Sequence, residues 1–386
     1  MGVLAAPGSG RLLLIRKGRA DTVKRQHPQS GIRNENNPVP PPSQKGENAF
    51  GLRHQAPAMC EAGIHLFLGF RGTDLEEELK FLIREYRPGG IVLFKRNIEG
   101  PEQLKNLIAG AQALALEQLK RPVFFAIDQE GGTVQRLVPH FTSLPSAASL
   151  AAQGPEAVCQ WAATCAADLR QIGVQINFAP VLDIVADGKK HFMGSRSFGS
   201  TSVVVSDLGT LWIETLQAHG ISATAKHFPG LGLAELDPHH FSPVMGDKGM
   251  EGFHLHLIPF ASAVRAGVNC VMTSHAVYPA VDPEWPATLS QQIGLRWLRQ
   301  RLGFGGVLFG DDLDMAAIAE NYSPEEIAYR GLSCATDFFL LCQKSESIEP
   351  MSRALSDCLE RDRSLQQFHF DTVKRLELLR RFHFGE

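Results

Sequence analysis

Two short stretches place carboxylates where they could do chemistry: Gly310-Asp-Asp-Leu-Asp-Met315 and Asp237-Pro-His239. Asp311 closes an apolar run, so its carboxylate should leave a strand end as a carboxylate nucleophile does. Asp312 and Asp314 read as caps on the free amides of a helix N-terminus, where negative charge also complements the dipole. In Asp237-Pro-His239 the carboxylate stands close enough to fix one imidazole tautomer and raise its basicity, which makes a general acid/base dyad. The same three residues also make a polar turn closed by an Asx hydrogen bond. A third stretch, Asp128-Gln-Glu-Gly-Gly-Thr-Val-Gln-Arg136, offers Asp128 and Arg136 for binding hydroxyl groups. Its Gly131-Gly132 pair serves either as a tight turn or as a place where backbone approaches a ligand. His227, His275 and Asp311 together form a possible zinc donor set, although the first strand has only His65 where an H-x-H would be needed.

These residues need strands that end beside one another. Eight short apolar runs, at 63–70, 89–95, 122–128, 176–184, 220–227, 267–274, 306–311 and 335–342, alternate with amphipathic segments. Leu75, Leu79, Leu82 and Ile83 have helical spacing, as do Leu104, Leu107, Ile108 and Leu114. Eight β/α units over about 325 residues predict an α/β fold, a (β/α)8 barrel of the TIM type, better than an open sheet. In such a barrel the active site lies at the C-terminal ends of the strands. Asp128, Asp183, Lys226-His227, Thr273-Ser274-His275 and Asp311-Asp312 all stand at those ends.

In order along the chain, these motifs resemble the family 3 glycoside hydrolases, and within them the single-domain bacterial β-N-acetylhexosaminidases of the NagZ type. The landmarks are Gly89-Gly-Ile-Val-Leu-Phe, Asp128-Gln-Glu-Gly-Gly-x-Val-Gln-Arg136, Asn177-Phe-Ala-Pro-Val-Leu-Asp183, Arg196-Ser-Phe, Lys226-His-Phe-Pro-Gly, Asp237-x-His239, His275-x-x-Tyr-Pro-Ala-Val-Asp282 and Asp311-Asp-Leu-x-Met315. The resemblance implies that Asp311 is the nucleophile and that His239, oriented by Asp237, is the acid/base. It further implies that Asp128, Arg136, Arg196, Lys226 and His227 bind a terminal N-acetylglucosamine, with muropeptides of peptidoglycan recycling as the implied substrate. Other family 3 specificities, phosphorolysis and a sugar-binding protein without chemistry stay open beside it. The chain departs from the family pattern at Leu231, where a polar residue is usual, and at Thr133, where Arg is common.

Composition bounds the remaining possibilities. The chain has 386 residues, 44% hydrophobic and 20% charged, as in ordinary globular proteins. A formal charge of −3 gives no field that recruits nucleic acid or an anionic membrane, and no apolar run is long enough to span a bilayer. Residues 1–50 hold eight basic against three acidic residues, a net +5, which leaves −8 on the rest. The Pro-rich, polar stretch 26–57 buries too little to offset its ordering entropy. Residues 1–58 are therefore expected to be a disordered basic extension and 59–386 the barrel, with Met59 as the natural beginning. An arm for nucleic acid and a transit peptide are the alternatives for the extension. Seven Cys without C-x-x-C suggest reduced, buried thiols in the cytoplasm. The expectation is a monomer acting on a small carbohydrate, without metal or cofactor.

Overall fold

The computed structural model describes residues 61–186, 191–234 and 249–385. Its strands are β1 (Leu66–Leu68), β2 (Gly90–Leu93), β3 (Phe124–Ile127), β4 (Ile176–Asn177), β5 (Ser222–Phe228), β6 (Cys270–Thr273), β7 (Val277–Tyr278), β8 (Asp282–Pro286), β9 (Val307–Gly310) and β10 (Phe339–Leu341). Eight of them form one parallel sheet in the order β10-β1-β2-β3-β4-β5-β6-β9. A parallel bridge from Phe309 to Phe338, with the Gly310 N–H donating to the Phe338 carbonyl, joins the two ends into a ring. Helices follow the strands, so the chain folds as the expected (β/α)8 barrel. Seven of the eight anticipated runs contain their strand, and the eighth, 220–227, stops one residue short of the end of β5. The antiparallel pair β7 and β8 was not anticipated; it lies between β6 and the helical segment Gln292–Arg301. The expected extension falls outside the described residues.

Strands buried on both faces must be apolar throughout. Every residue of β2, β3, β6 and β9 is buried. β4 is only two residues long because Pro180, which has no N–H to donate, follows soon after. Beyond it the chain still pairs on its acceptor side, with the Ala179 and Pro180 carbonyls taking the N–H groups of Thr224 and Lys226. The outer helices bury one stripe each: Leu104, Leu107, Ile108 and Leu114 face inward along Pro101–Leu119, which has Pro at its start. The helix Pro155–Ile172 ends at Gly173, whose φ of 83° lets the chain turn into β4.

Inside the ring, Phe67, Phe178, Phe309 and Phe338 interlock, with centroids 4.4–5.2 Å apart in mostly edge-on contacts. Gly90 makes room for them, since a Cβ there would stand 2.1 Å from the Phe67 ring. Above this layer Val92, Met272 and Leu340, together with Phe178 reaching up from it, are contributed by alternate strands of the ring and form a floor. Below it the helix Arg363–Phe384 closes the N-terminal end with Leu376 and Leu379.

The histidine singled out near the first strand belongs to this lower end. His65 is fully buried; its Nδ1 donates to the Asp337 carbonyl at 2.9 Å and its Nε2 faces His369 Nδ1 at 2.9 Å. A neutral His65 satisfies both contacts, with Nε2 accepting, whereas protonation would set two N–H groups against each other. Burial, reinforced by His369, pushes the His65 imidazole down from 6.5 to about 4. With the folded value below the unfolded one, the unfolded chain binds the extra proton between these limits, so stability falls as pH drops below 6.5. Unfolding in denaturant at pH 5 should show ~2 kcal/mol less stability from this group than at pH 7. His65→Asn should reduce that slope without abolishing it, because burial also pushes His383 down to about 4; an unchanged slope would exclude His65 as a source.

Candidate active site

A cavity of about 490 Å³ opens above the apolar floor, at the C-terminal ends of the strands. Six of the residues anticipated from the sequence line it together: Asp128, Arg136, Arg196, Lys226, His227 and Asp311. Asp237 and His239 lie outside the described residues.

Most of the polar wall is one ion network. Lys226, 3% exposed, donates to Asp128 Oδ1 at 2.8 Å and reaches Glu130 Oε1 at 2.6 Å. Arg136 holds the other Asp128 oxygen at 3.2 Å, and Arg196 clasps Glu130 with two bonds of 2.7 and 2.8 Å. Burial alone would raise Asp128 and Glu130, but the adjacent cations outweigh it and hold both carboxyls below their ordinary range. Burial likewise opposes charge on Lys226 and Arg196, and the carboxylates overcome it, so both stay cationic. Arg136 also lies over the Phe94 ring, 5.7 Å from its centroid, and its buried Nε has no partner among the described residues. Such a wall presents fixed donors and acceptors to a polyhydroxylated ligand.

Glu130 was given no role in the sequence, yet it joins Lys226 to Arg196. Its signal was present, because residues two apart on an extended segment share a face and Asp128 already pointed inward. The segment is held by Gln129, whose Oε1 accepts from the Arg136 and Leu137 amides. Asn177 exchanges two bonds with the Gln129 backbone, each of 3.0 Å. Gly131 and Gly132, with φ of 100° and 58°, form the tight turn of the two alternatives. They press against Leu144, Pro145 and Ser146, and neither lines the cavity. Thr133 is exposed at that turn, which explains why the departure there leaves the cavity wall intact.

Asp183 is buried and binds His227 Nδ1 through Oδ2 at 2.7 Å. Its Oδ1 accepts from the Leu231 amide at 2.6 Å, and these partners outweigh burial to keep it ionised. Leu231, the second departure, is 2% exposed and packs in the core. The short segment it belongs to is tied down again by Tyr278, whose hydroxyl donates to the Gly230 carbonyl at 3.0 Å, and by His191 Nε2 at the Ala234 carbonyl.

The acidic stretch after β9 divides its labour. Asp314 caps backbone, accepting from the amides of Gln343 and Lys344 and from the Ser347 hydroxyl. Asp312 accepts from the amides of Asp314 and Cys342; burial, with Asp314 and Asp311 nearby, pushes its carboxyl up to about 7. Asp311 lines the cavity and accepts the Asp312 amide on Oδ1 at 2.8 Å. Burial and the surrounding carboxylates Asp312, Asp314, Asp128 and Asp311 push the Cys342 thiol well above its ordinary value, which leaves it an inert part of the wall. The zinc alternative fares poorly in geometry. His227 Nδ1 is bound to Asp183, His275 has both ring nitrogens engaged, and among the described residues no three His, Cys, Asp or Glu are placed to hold a metal ion.

Arg196→Lys should lower the unfolding free energy by ~1–2 kcal/mol, because an ammonium cannot reproduce the two parallel bonds to Glu130. The same change at Arg361, whose bond to Asp357 is exposed, should cost less than ~0.5 kcal/mol. Equal effects at the two positions would show that the buried fork adds nothing.

A closed parallel barrel with a charged pocket at its C-terminal mouth defines a barrel enzyme. Residues 60–376 match the glycosyl hydrolase family 3 N terminal domain, and the chain belongs to that family. A beta-hexosaminidase of Alkalilimnicola ehrlichii is 36% identical over 301 residues, 76% of this chain and 84% of that protein. Among solved structures, a family 3 beta-N-acetylglucosaminidase from Paenibacillus sp. superposes with a TM-score of 0.81 at 34% identity, covering 85% of this chain. This chain spans 63% of that one, less than two thirds. NagZ from Neisseria gonorrhoeae in complex with N-trifluoroacetyl-D-glucosamine gives 0.68 at 28% identity, covering 81% of this chain and 98% of that one. No helix among the described residues is long and apolar enough to cross a membrane.

Proposed function

We infer that this family 3 hydrolase is a β-N-acetylhexosaminidase that removes terminal N-acetylglucosamine with retention of configuration. The observation that carries the reading is Asp311, a carboxylate at the end of β9 in the wall of a cavity that Asp128, Glu130, Arg136, Arg196, Lys226 and His227 also line. Hydrolysis of β-N-acetylhexosaminides is the activity in the names of its relatives.

In the proposed mechanism the Asp311 carboxylate attacks the anomeric carbon while the glycosidic C–O bond breaks. His239, oriented by Asp237, gives its proton to the leaving oxygen. Water then attacks the glycosyl ester, His239 takes the water's proton, and Asp311 leaves as carboxylate. Two displacements restore the β configuration. Asp128, Arg136, Arg196, Lys226 and His227 hold the sugar hydroxyls and amide. The proposed natural substrates are muropeptide fragments of peptidoglycan recycling, cleaved in the cytoplasm by a monomer whose barrel begins near Met59. The NagZ structure in complex with N-trifluoroacetyl-D-glucosamine supports an N-acylated glucosamine as the sugar that is held.

Following 4-nitrophenyl N-acetyl-β-glucosaminide by proton NMR should show the β anomer of free N-acetylglucosamine first, with the α anomer growing only by mutarotation. First appearance of the α anomer would overturn the double displacement. Product analysis on muropeptide fragments beside chitobiose and a β-glucoside, with and without phosphate, tests the substrate class.

A further inference from the structure

Asp311 acts on substrate only if its carboxylate is aimed, and its aim depends on the turn that follows β9. The end of β9 and that turn are gripped by β6 and the residues just after it. Thr273 Oγ1 donates to the Phe309 carbonyl at 3.3 Å, and His275 Nε2 stands 3.0 Å from the Asp312 carbonyl. The same Asp312 residue presents its amide to Asp311 Oδ1 at 2.8 Å, and its own carboxylate is held by the Cys342 amide at 3.3 Å. His275 is 1% exposed and is not among the described residues that line the cavity, so it does not touch substrate.

We propose that His275 is a positioning residue for the nucleophile: its Nε2–H bond to the Asp312 carbonyl fixes the turn that presents the Asp312 amide to Asp311. The proposal rests on the reading of Asp311 as nucleophile. A carbonyl only accepts, so Nε2 carries a proton. On the other side, Nδ1 lies 2.8 Å from Thr288 Oγ1, which is itself 2.9 Å from the Ser274 carbonyl. The Thr288 hydroxyl can therefore donate to a bare Nδ1, or accept from a protonated one while turning its own hydrogen to Ser274. The bond to Asp312 survives in both forms. Thr288 is wholly buried in the segment Ala287–Leu289, a rigid mount for the ring.

The test uses two amides of equal polarity and different reach. Gln at position 275 places its Nε2 near the imidazole Nε2, whereas the shorter Asn reaches only towards Thr288. The full chain and its His275→Gln and His275→Asn variants are treated with a fluorinated N-acetylglucosaminyl fluoride. Its fluoride is displaced by the nucleophile to leave a slowly hydrolysed ester, which peptide mass spectrometry locates. Misplacing a reacting group by an ångström costs on the order of 100-fold, so His275→Asn should slow labelling about 30- to 100-fold at saturating reagent. The reagent's Kd should stay within about threefold, because the sugar contacts are untouched, and His275→Gln should label within about fivefold of the parent. Equal labelling in all three proteins, equal loss in both variants, or a loss confined to Kd would overturn the role of His275. A label on a residue other than Asp311 in the parent protein would instead overturn the mechanism it rests on. Should both variants unfold, Thr288→Val, which keeps the imidazole and removes only its mount, should slow labelling about 5- to 10-fold, and no change would overturn the proposal.

Discussion

Replacing Asp311 with alanine should reduce kcat on 4-nitrophenyl N-acetyl-β-glucosaminide by on the order of 10⁴-fold or more, equivalent to at least ~5 kcal/mol of barrier. The size follows from the number of steps the carboxylate serves. It forms the bond to the anomeric carbon, and it supplies negative charge beside the oxocarbenium-like transition states of both halves of the reaction. Stability should change little, because among the described residues its side chain accepts a bond only from the adjacent Asp312 amide, and it already borders the cavity. Asp311→Glu makes a finer arm of the same test. It keeps the charge but advances the carboxylate by a methylene, a displacement of about 1 Å that should cost ~10²-fold. Binding of N-acetylglucosamine should survive in both variants, since Lys226, Arg136 and Arg196 keep their partners. Turnover by Asp311→Ala above about a hundredth of the parent rate would remove Asp311 from the nucleophile's role.

The barrel was legible because its strands are buried on both faces and so read as unbroken apolar runs, while Gly and Pro punctuate the gaps. The run 176–184 holds a strand of only two residues, Ile176–Asn177, with pairing beyond it carried by carbonyls, and the missing N–H of Pro180 is itself a sequence signal. At the mouth, strand-end placement sufficed to gather Asp128, Lys226, His227 and Asp311, and the family resemblance added Arg196. What the sequence withheld was partnership. Asp183 stood out as a strand-end carboxylate, but nothing local ties it to His227, 44 residues on, with which it shares a 2.7 Å bond. Glu130 was passed over although its spacing from Asp128 put both on one face. Asp312 was expected to cap a helix, and it does accept the Asp314 amide. Its backbone, however, serves Asp311 through the adjacent amide and His275 through the carbonyl, and the second contact exists only when β6 and β9 lie side by side. Asp337 went unread because it lies inside the run 335–342 that was counted as a strand.

That unread residue carries the second large effect. Asp337→Ala should destabilise the protein by ~3–5 kcal/mol, seen as a lower denaturant midpoint, while kcat and KM at a permissive temperature stay within about twofold. The Asp337 side chain is wholly buried at the N-terminal end of the barrel, opposite the cavity. It receives bonds from Arg299 at 2.6 Å, Arg375 at 2.8 Å, the Thr372 hydroxyl at 2.7 Å and the Leu308 amide at 2.7 Å. Burial opposes its charge, but the two guanidinium groups outweigh it and depress the carboxyl, so its contribution is complete at neutral pH and disappears only as pH falls through the folded value. That window lies below the one set by His65, and the two can be separated by titration. Removing the carboxylate leaves Arg299, already lowered by burial to about 10, without the group that counters its desolvation. It also unties Thr372 and Arg375, both on the helix Arg363–Phe384 that closes the barrel from below. Asp337→Asn keeps the shape and part of the hydrogen bonding but not the charge, and should fall between parent and alanine variant. A loss under ~1 kcal/mol for alanine would mean that the apolar contacts of Leu376 and Leu379 hold that helix without the ionic tie.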